Sequence, residues 1–484
     1  MAFLTGEDMK MCFSLFCVVY GIGTLGMPGN YARAGYLWAT IALIFMATVN
    51  TYATVCISKV MMVAPKNVKT FGDMGEWCMG GLGRWMAVIS QMAVCLLVPI
   101  AFLVLGGSLL TVLFPDSYPD STWIVLMAIS LLPVCLIPNL KEGAGAAAAG
   151  AIGTILADAI AIYMLIDNMS TPEAKNLSTP SPELSFSGVT AVFGNLALAY
   201  GAGVVIPALQ REHSDPTRMP RVIVVTLVSI SVLFMILAIT GVSAVGCQIP
   251  GNLLFAVNGD KLGFKASRGG VILAFLFMQL HITIAFSLIL YPALFIMERI
   301  ILGMHKSAFA LADVVDEEAK EPGFAIAETP NETNTADVAK VHDATAEHDS
   351  GSAAAYNAPG AYLKVCILRT VVVAIMVVVA LLWKDNFTDL VDFVGASSTS
   401  TSCMILPIVF YLKTFHATLS KPEKAFAIFC VLVTSALAVY VSYTTGKHLF
   451  APGQANPAIK FPYCPAEYQQ MVYTNTTYYS GKKL

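Results

Sequence analysis

Charge is scarce in this chain, and that scarcity excludes more than any motif does. Only 12% of its 484 residues are Asp, Glu, Lys or Arg, while 57% are apolar; soluble domains usually carry about twice that charged share. The net charge is -3 and no Lys/Arg-rich face is present, so nothing supports a nucleic-acid partner. The 7 histidines form no cluster and the 11 cysteines form no C-x-x-C pair, so no metal or other cofactor is expected. A nucleophile–base constellation is also missing, which argues against an enzyme. The first 30 residues lack a small-residue cleavage site behind a short apolar core and read as mature sequence.

What is present is apolar sequence in runs of roughly 20 residues, the length that crosses a bilayer as a helix. The reading is an all-α polytopic membrane protein with about eleven transmembrane helices. Residues 1–10 form a short N-terminus, 11–300 hold helices 1–8, and 363–445 hold helices 9–11. Between them, 301–362 is acidic, polar and poor in large apolar residues, a composition that builds little core, and it is expected to be a disordered cytoplasmic loop. A polar tail, 446–484, closes the chain. Most cysteines, such as Cys17, Cys95 and Cys403, lie inside apolar runs and read as small buried hydrophobes.

Two spans are flawed. Phe13–Tyr36 contains Gly21, Gly23, Gly26 and Pro28 in its middle; Val189–Leu209 contains Gly194, Gly201, Gly203 and Pro207. Backbone N–H and C=O groups freed by such a break are costly in hydrocarbon. They are useful where they face a ligand in a protein-lined cavity. A glycine packing notch with a proline kink is the competing reading of either segment alone. The breaks fall in spans 1 and 6, five spans apart, and matching breaks point to a midplane site between inverted repeats.

Charge beside the spans orients the chain. A cytoplasmic N-terminus puts Lys59, Lys66, Lys69, Arg84, Arg211, Arg218 and Arg221 inside, and leaves a thinner set with Arg33, Lys261 and Lys265 outside. The C-terminus then lies outside, with the acceptor patterns at Asn168, Asn176 and Asn475. Cys247 and Cys464 also fall outside, where a disulfide is permitted, and their pairing is expected.

The same residues resemble the amino acid/auxin permease family. Gly21-Ile-Gly-Thr-Leu-Gly-Met-Pro28 is similar to its first-helix motif, and Leu198-Ala-Tyr-Gly201 with Pro207 and Gln210-Arg-Glu212 to its sixth. Tyr291-Pro292 with Glu298, and Phe393-Val-Gly-Ala396 with Leu406-Pro407, resemble its eighth and tenth. The resemblance covers residues 10–445 outside the acidic loop. It implies a five-plus-five inverted repeat of the leucine-transporter type with one extra helix, moving amino acids with protons or sodium. Many members have His where this chain has Ala202, so no role of that histidine carries over.

The expected function is secondary active amino acid transport, by proton symport and alternating access, in a monomer among membrane lipids of the plasma membrane or an endomembrane. An amino-acid sensor using the same pocket, a sodium-coupled carrier and an auxin-like substrate are the alternatives. The substrate carboxylate is expected at the amides of Gly21, Ile22, Gly23, Thr24 and Leu25, since half-helix N-termini attract anions. Its ammonium is expected at carbonyls of Ala199, Tyr200 and Gly201, with Ala202 and Gly203 leaving room. Gln91 is either a substrate contact or helix–helix glue. For ion coupling the candidates are Asp158, near the middle of span 5, and His281 on span 8; Thr283 and Ser287 are the weaker sodium candidates. Asp385, Asp389 and Asp392 read as the polar start of span 10 at the outer surface, an external gate or solvated rim.

Overall fold

The structure, a computed structural model, describes residues 3–65, 67–68, 70–137, 143–170, 177–259, 261–304, 356, 359–451 and 459–481. Among the described residues every regular element is helical. Helix α1 (Gly6–Val19) starts with a capping box, in which Thr5 and Asp8 each accept the other's backbone N–H. It ends at Tyr20 in an extended conformation, and a 3-10 turn (Ile22–Gly26) leads into α2 (Met27–Val63). The turn therefore sits at the glycine-rich break read from the sequence. Then come α3 (Phe71–Leu113), α4 (Asp120–Leu136), α5 (Gly143–Met169) and α6 (Phe186–Ala199). The second break follows: Tyr200–Ala202 leave the helix, a 3-10 turn covers Gly203–Val205, and α7 (Ile206–Glu212) resumes with Pro207 in its first turn. Proline there costs no hydrogen bond, because the first-turn N–H groups have no helical acceptor.

Helix α8 (Met219–Val245), short α9 (Leu253–Val257) and α10 (Arg268–Ile301) complete the first part. Beyond the acidic region, most of which lies outside the described residues, are α11 (Ala361–Trp383) and α12 (Phe387–Val394). From α12 the chain continues through π-helical turns at Gly395–Thr399 and Thr401–Ile405 into α13 (Leu406–Thr414). Helix α14 (Lys421–Phe450) and a tail with α15 (Thr476–Gly481) end it.

Among the described residues, eight segments are long and apolar enough to cross a membrane. Fewer than the expected eleven stand apart because two pairs of helices run on through their joints and the apolar helix α4, Asp120–Leu136, is shorter than the others. Ile22–Val63 is one 42-residue segment that turns at Gly35, and Ala361–Thr414 is another of 54 residues. Gly35 has φ +69°, a conformation glycine adopts without Cβ strain. The core is a continuous apolar cluster in which α2 packs on α8 and α10 packs on α5 and α3. One ion pair is sealed inside it: Arg369 Nε donates to Glu298 Oε1 at 2.6 Å, both side chains 0% exposed. Arg369 Nη1 also donates to the carbonyls of Cys135 and Ile137. Glu298, part of the eighth-helix motif, thus ties α10 to α11 and the end of α4.

Candidate functional site

The two breaks meet. A Cβ on Gly23 would lie 2.6 Å from Ala199 Cβ and 2.7 Å from Ala199 Cα, so only glycine lets the first break touch the end of α6. A Cβ on Gly26 would strike the Asn195 amide at 2.4–2.9 Å. The packing-notch and broken-helix readings of Gly21–Pro28 therefore describe the same feature. Ile22, Gly23, Thr24 and Leu25 are buried, as are Ala199, Tyr200, Ala202 and Gly203.

Backbone accounting narrows which groups are spare. The Thr24 N–H donates to Gly21 O at 3.0 Å. The Gly201 N–H donates to Leu198 O at 3.1 Å and the Ala202 N–H to Tyr200 O at 2.6 Å. The amide of Thr24 and the carbonyl of Tyr200 are thus already engaged. Tyr200 is fully buried, its hydroxyl 2.6 Å from Ser231 Oγ and its ring edge-on to Phe234. Its hydroxyl is tied to α8 and its ring acts as packing.

Asp158 is the most unusual polar group at the breaks. It is 3% exposed on α5, beside Tyr20 and Thr24. Among the described residues no hydrogen bond within 3.5 Å reaches either of its carboxyl oxygens or Thr24 Oγ1, but the Thr24 and Tyr20 hydroxyls stand close enough to interact with it. Leaving a buried carboxyl unsatisfied costs on the order of 1–3 kcal/mol or more, so Asp158 depends on these two hydroxyls of the first break or on a ligand between them. His281, 6% exposed on α10, is wedged between the first break and α5. A Cβ on Gly21 would lie 3.0 Å from its Nε2, and one on Gly150 would lie 3.3 Å from its Nδ1. Phe102 closes edge-on against the ring.

The remaining candidates disperse. Thr283 is exposed and its hydroxyl donates to Gln279 O at 2.8 Å, one turn back on α10. Ser287 is buried and donates to Ile284 O at 3.2 Å. A spacing of four residues puts the two on neighbouring parts of one helix face, but Thr283 is exposed and Ser287 buried, and each hydroxyl is bonded within its own helix. Gln91 is half-buried on α3, and among the described residues no hydrogen bond ties it to either break. Asn168 lies in the last turn of α5, donating to Met164 O at 2.7 Å. Asn475 caps α15, its Oδ1 accepting the Tyr478 N–H at 3.1 Å. Asn176 lies outside the described residues.

Sequence reasoning missed the polar seal above the breaks. Arg33 Nη1 donates to Asp392 Oδ2 at 2.5 Å, Arg33 Nη2 to Asn30 Oδ1 at 2.7 Å, and Asn30 Nδ2 to Asn195 Oδ1 at 2.7 Å. All four residues are buried, Arg33 most exposed at 7%. Its burial excludes the solvated rim for Asp392 and leaves the external gate as the reading of that residue. Asp385, paired to Lys384, and Asp389, paired to His448, do lie near solvent. Backbone contact brings Asp392 into range: a Cβ on Gly194 would lie 2.4 Å from Asp392 O, and one on Gly395 would overlap Gly194 O. The available signal was Arg33 itself, a cation between two apolar stretches. The disulfide Cys247–Cys464, as expected, lies at the same end of the bundle.

At the opposite end, α1 is latched to the loop after α7. Arg218 Nη2 and Nε donate to Asp8 Oδ2 at 2.6 and 2.9 Å, and His213 Nε2 lies 3.0 Å from Asp8 Oδ1. His213 Nδ1 accepts the Asp215 N–H, which leaves Nε2 to donate to Asp8. Ser214 N–H donates to Glu7 at 2.8 Å.

Comparison with known proteins places this geometry. A family model described as transmembrane amino acid transporter protein matches residues 6–446. Two curated Arabidopsis thaliana proteins, amino acid transporters AVT1I and AVT1J, are 24% and 23% identical over 249 and 271 residues. Those alignments take in 49% and 53% of this chain and 60% and 62% of the relatives, so the match spans under two thirds of their length. In fold the chain is similar to the crystal structure of MhsT in complex with L-phenylalanine. There the TM-score is 0.52 at 14% identity, covering 90% of this chain and 98% of that one. It is also similar to a manganese transporter of Eremococcus coleocola, with TM-score 0.54 at 12% identity, covering 93% of this chain and 89% of that one. These matches are to transporters rather than enzymes.

Proposed function

This chain belongs to the transmembrane amino acid transporter family, and we propose that it is a secondary active transporter of amino acids working by alternating access. The observation that carries the reading is the contact of the two broken helices, Gly23 against Ala199, beside the buried carboxyl of Asp158. The amino acid carboxylate binds at the first break, Gly21–Leu25, where a half-helix begins, and the ammonium binds at the second, Ala199–Gly203. Arg33–Asp392 closes one side of this site and Asp8–Arg218 the other, so the arrangement is the occluded stage of the cycle. The finer architecture follows: about eleven crossings, a five-plus-five inverted repeat with one extra helix, the disulfide end extracytoplasmic and the Asp8 end cytoplasmic.

The coupling ion is the proton, carried by Asp158. A carboxyl whose hydration differs between the two access states binds a proton unequally in them, and that difference biases the cycle. Sodium needs several oxygen ligands, and Thr283 faces away from the break. The test is reconstitution in liposomes with an amino acid panel, under proton and sodium gradients imposed separately. Accumulation driven by an inward proton gradient is expected; Asp158→Asn should lose it while retaining exchange of labelled for unlabelled substrate. If Asp158→Asn concentrates substrate like the parent, Asp158 is not the proton carrier. If no amino acid is accumulated under either gradient, the transport reading fails.

A further inference from the structure

The tail is more than a cover for one end of the bundle. Its described part, 459–481, is fastened at three places around the Arg33–Asp392 seal. Cys464 is disulfide-bonded to Cys247, which directly follows α8. Gln248, fully buried, donates to the carbonyls of Tyr468 and Met471 at 2.9 Å each, and its Oε1 accepts the Tyr473 N–H at 2.8 Å. The carbonyl of Tyr463 accepts the Glu183 N–H at 3.1 Å, just before α6. These fastenings leave the Tyr463 side chain little freedom, and its ring lies over the Arg33 guanidinium, 5.9 Å from Arg33 Cζ to the ring centroid. That distance is within the range of cation–π attraction. Arg33 thus has Asp392 and Asn30 as hydrogen-bond partners and an aromatic wall supplied from 430 positions further along the chain.

Two of the three fastenings lie on the Arg33 side. Cys247 and Gln248 follow α8, which packs on α2, the helix that carries Arg33. Asp392 belongs to α12, which packs on α14 and α6. Separating Arg33 from Asp392 therefore moves the guanidinium with the helix pair that carries the disulfide and Gln248, whereas the Glu183 fastening precedes α6 on the Asp392 side. A guanidinium held against a ring keeps its rotamer and its distance from water, which preserves the pairing geometry with Asp392.

We propose that Tyr463 is a positioning residue of this gate: pinned by the Cys464–Cys247 bond, its ring holds Arg33 in place for Asp392, so the tail sets how readily the disulfide end opens. The proposal rests on reading Arg33–Asp392 as a closed gate. It is tested on the full chain in lipid nanodiscs carrying Thr399→Cys as reporter. Thr399 is 1% exposed, and its Cγ2 lies 3.0 Å from where a Cβ on Gly201 would stand, at the level of the second break. The readout is the rate at which N-ethylmaleimide modifies residue 399, resolved from the native thiols by peptide mass spectrometry. Tyr463→Ala should raise that rate about tenfold, the population change equivalent to roughly 1.4 kcal/mol. Tyr463→Phe, which keeps the ring, should stay within about twofold of the parent. Cys464→Ser, and the parent protein with its disulfide reduced after purification, should follow Tyr463→Ala. A merely structural tail would lower the melting temperature in these variants without changing the rate at residue 399.

Asp392→Asn separates the two readings. If it speeds labelling while Tyr463→Ala and disulfide loss do not, the tail is only a cover and the proposal is overturned. If Asp392→Asn also leaves the rate unchanged, Arg33–Asp392 is not the gate, and the proposal falls with that reading.

Discussion

The two ends of this bundle are closed by the same logic and different materials. At each end a half of the first broken helix is tied to the sixth element or to its following loop. At the disulfide end the tie is Asn30 and Arg33 to Asn195 and Asp392, all nearly dry and drawn together by glycine backbones in contact. At the other end it is Asp8 and Glu7 to Arg218, His213 and Ser214. There Asp8 and His213 are also buried, but Arg218 is 15% exposed at its side chain and Glu7 35%. A charge pair in a dry site is strongly dependent on its partner, because removing one member strands the other. A pair that borders water is screened, replaceable by solvation and weaker. The disulfide end should therefore resist opening through packing and desolvation, and the Asp8 end through contacts that water and protons compete for.

The comparison breaks first at Arg33. Arg33→Met should destabilise the folded protein by about 3–5 kcal/mol, since Asp392 is left charged and buried. Adding Asp392→Leu should recover most of that loss, because the stranded charge is gone. Thermal unfolding of the purified single and double variants in detergent checks this. A double variant no more stable than Arg33→Met would show that the pair is not the main term. The matching substitution at the other end, Arg218→Met, should cost less in the same assay, because His213 and the Thr5 N–H still hold the buried Asp8 carboxylate.

The next test concerns the glycine contact beneath that pair. A Cβ on Gly395 would overlap Gly194 O, backbone against backbone, where no side chain can swing aside. Gly395→Ala should push α6 and α12 apart at a cost of about 1–3 kcal/mol, and should lengthen the Arg33–Asp392 contact. Gly269→Ala is the control, because a Cβ there meets nothing within 4 Å. Equal melting temperatures for the two variants would contradict the backbone contact.

Much of this architecture is legible in the amino-acid sequence, and for a physical reason. Breaks in a membrane helix are written in glycine and proline, so Gly21–Pro28 and Gly201–Pro207 mark themselves. Asp158 stands out because a carboxylate is rare inside an apolar run. What stays hidden depends on which way a residue faces or on long-range pairing. Thr283 sits on an apolar helix whose outward face is also apolar, so no period separates bilayer from interior. Arg33 and Asp392 are 359 positions apart, and Arg369 and Glu298 are 71 apart across the acidic region. No local pattern joins either pair. The span count blurs because Gly35 turns a helix that remains hydrogen-bonded on either side of it.

The smallest expected effect is also the one that best distinguishes the two ends, because it acts on only one of them. Arg218 beside Asp8, before the first crossing, holds that carboxyl well below the usual carboxylate range, outweighing the opposing cost of burial. Hydrogen bonds from Ser214 lower Glu7 in the same sense. A carboxyl whose folded value is depressed contributes stability that is fully present above its unfolded value, about 4, and that contribution is lost as pH falls. The Asp8 end should therefore loosen on acidification below about pH 4, and not between pH 8 and 5. Salt should loosen it too, since Arg218 borders water. The measurement is protease or hydrogen-exchange protection of residues 3–19 at several pH values, with protection at 459–481 as the internal comparison. Asp8→Asn should be less protected at neutral pH and should lose less on acidification, because its side chain has no proton to gain. If protection of 3–19 in the parent and in Asp8→Asn falls in parallel as pH drops, the acid response belongs to other groups, and the two ends differ in exposure but not in how they are held.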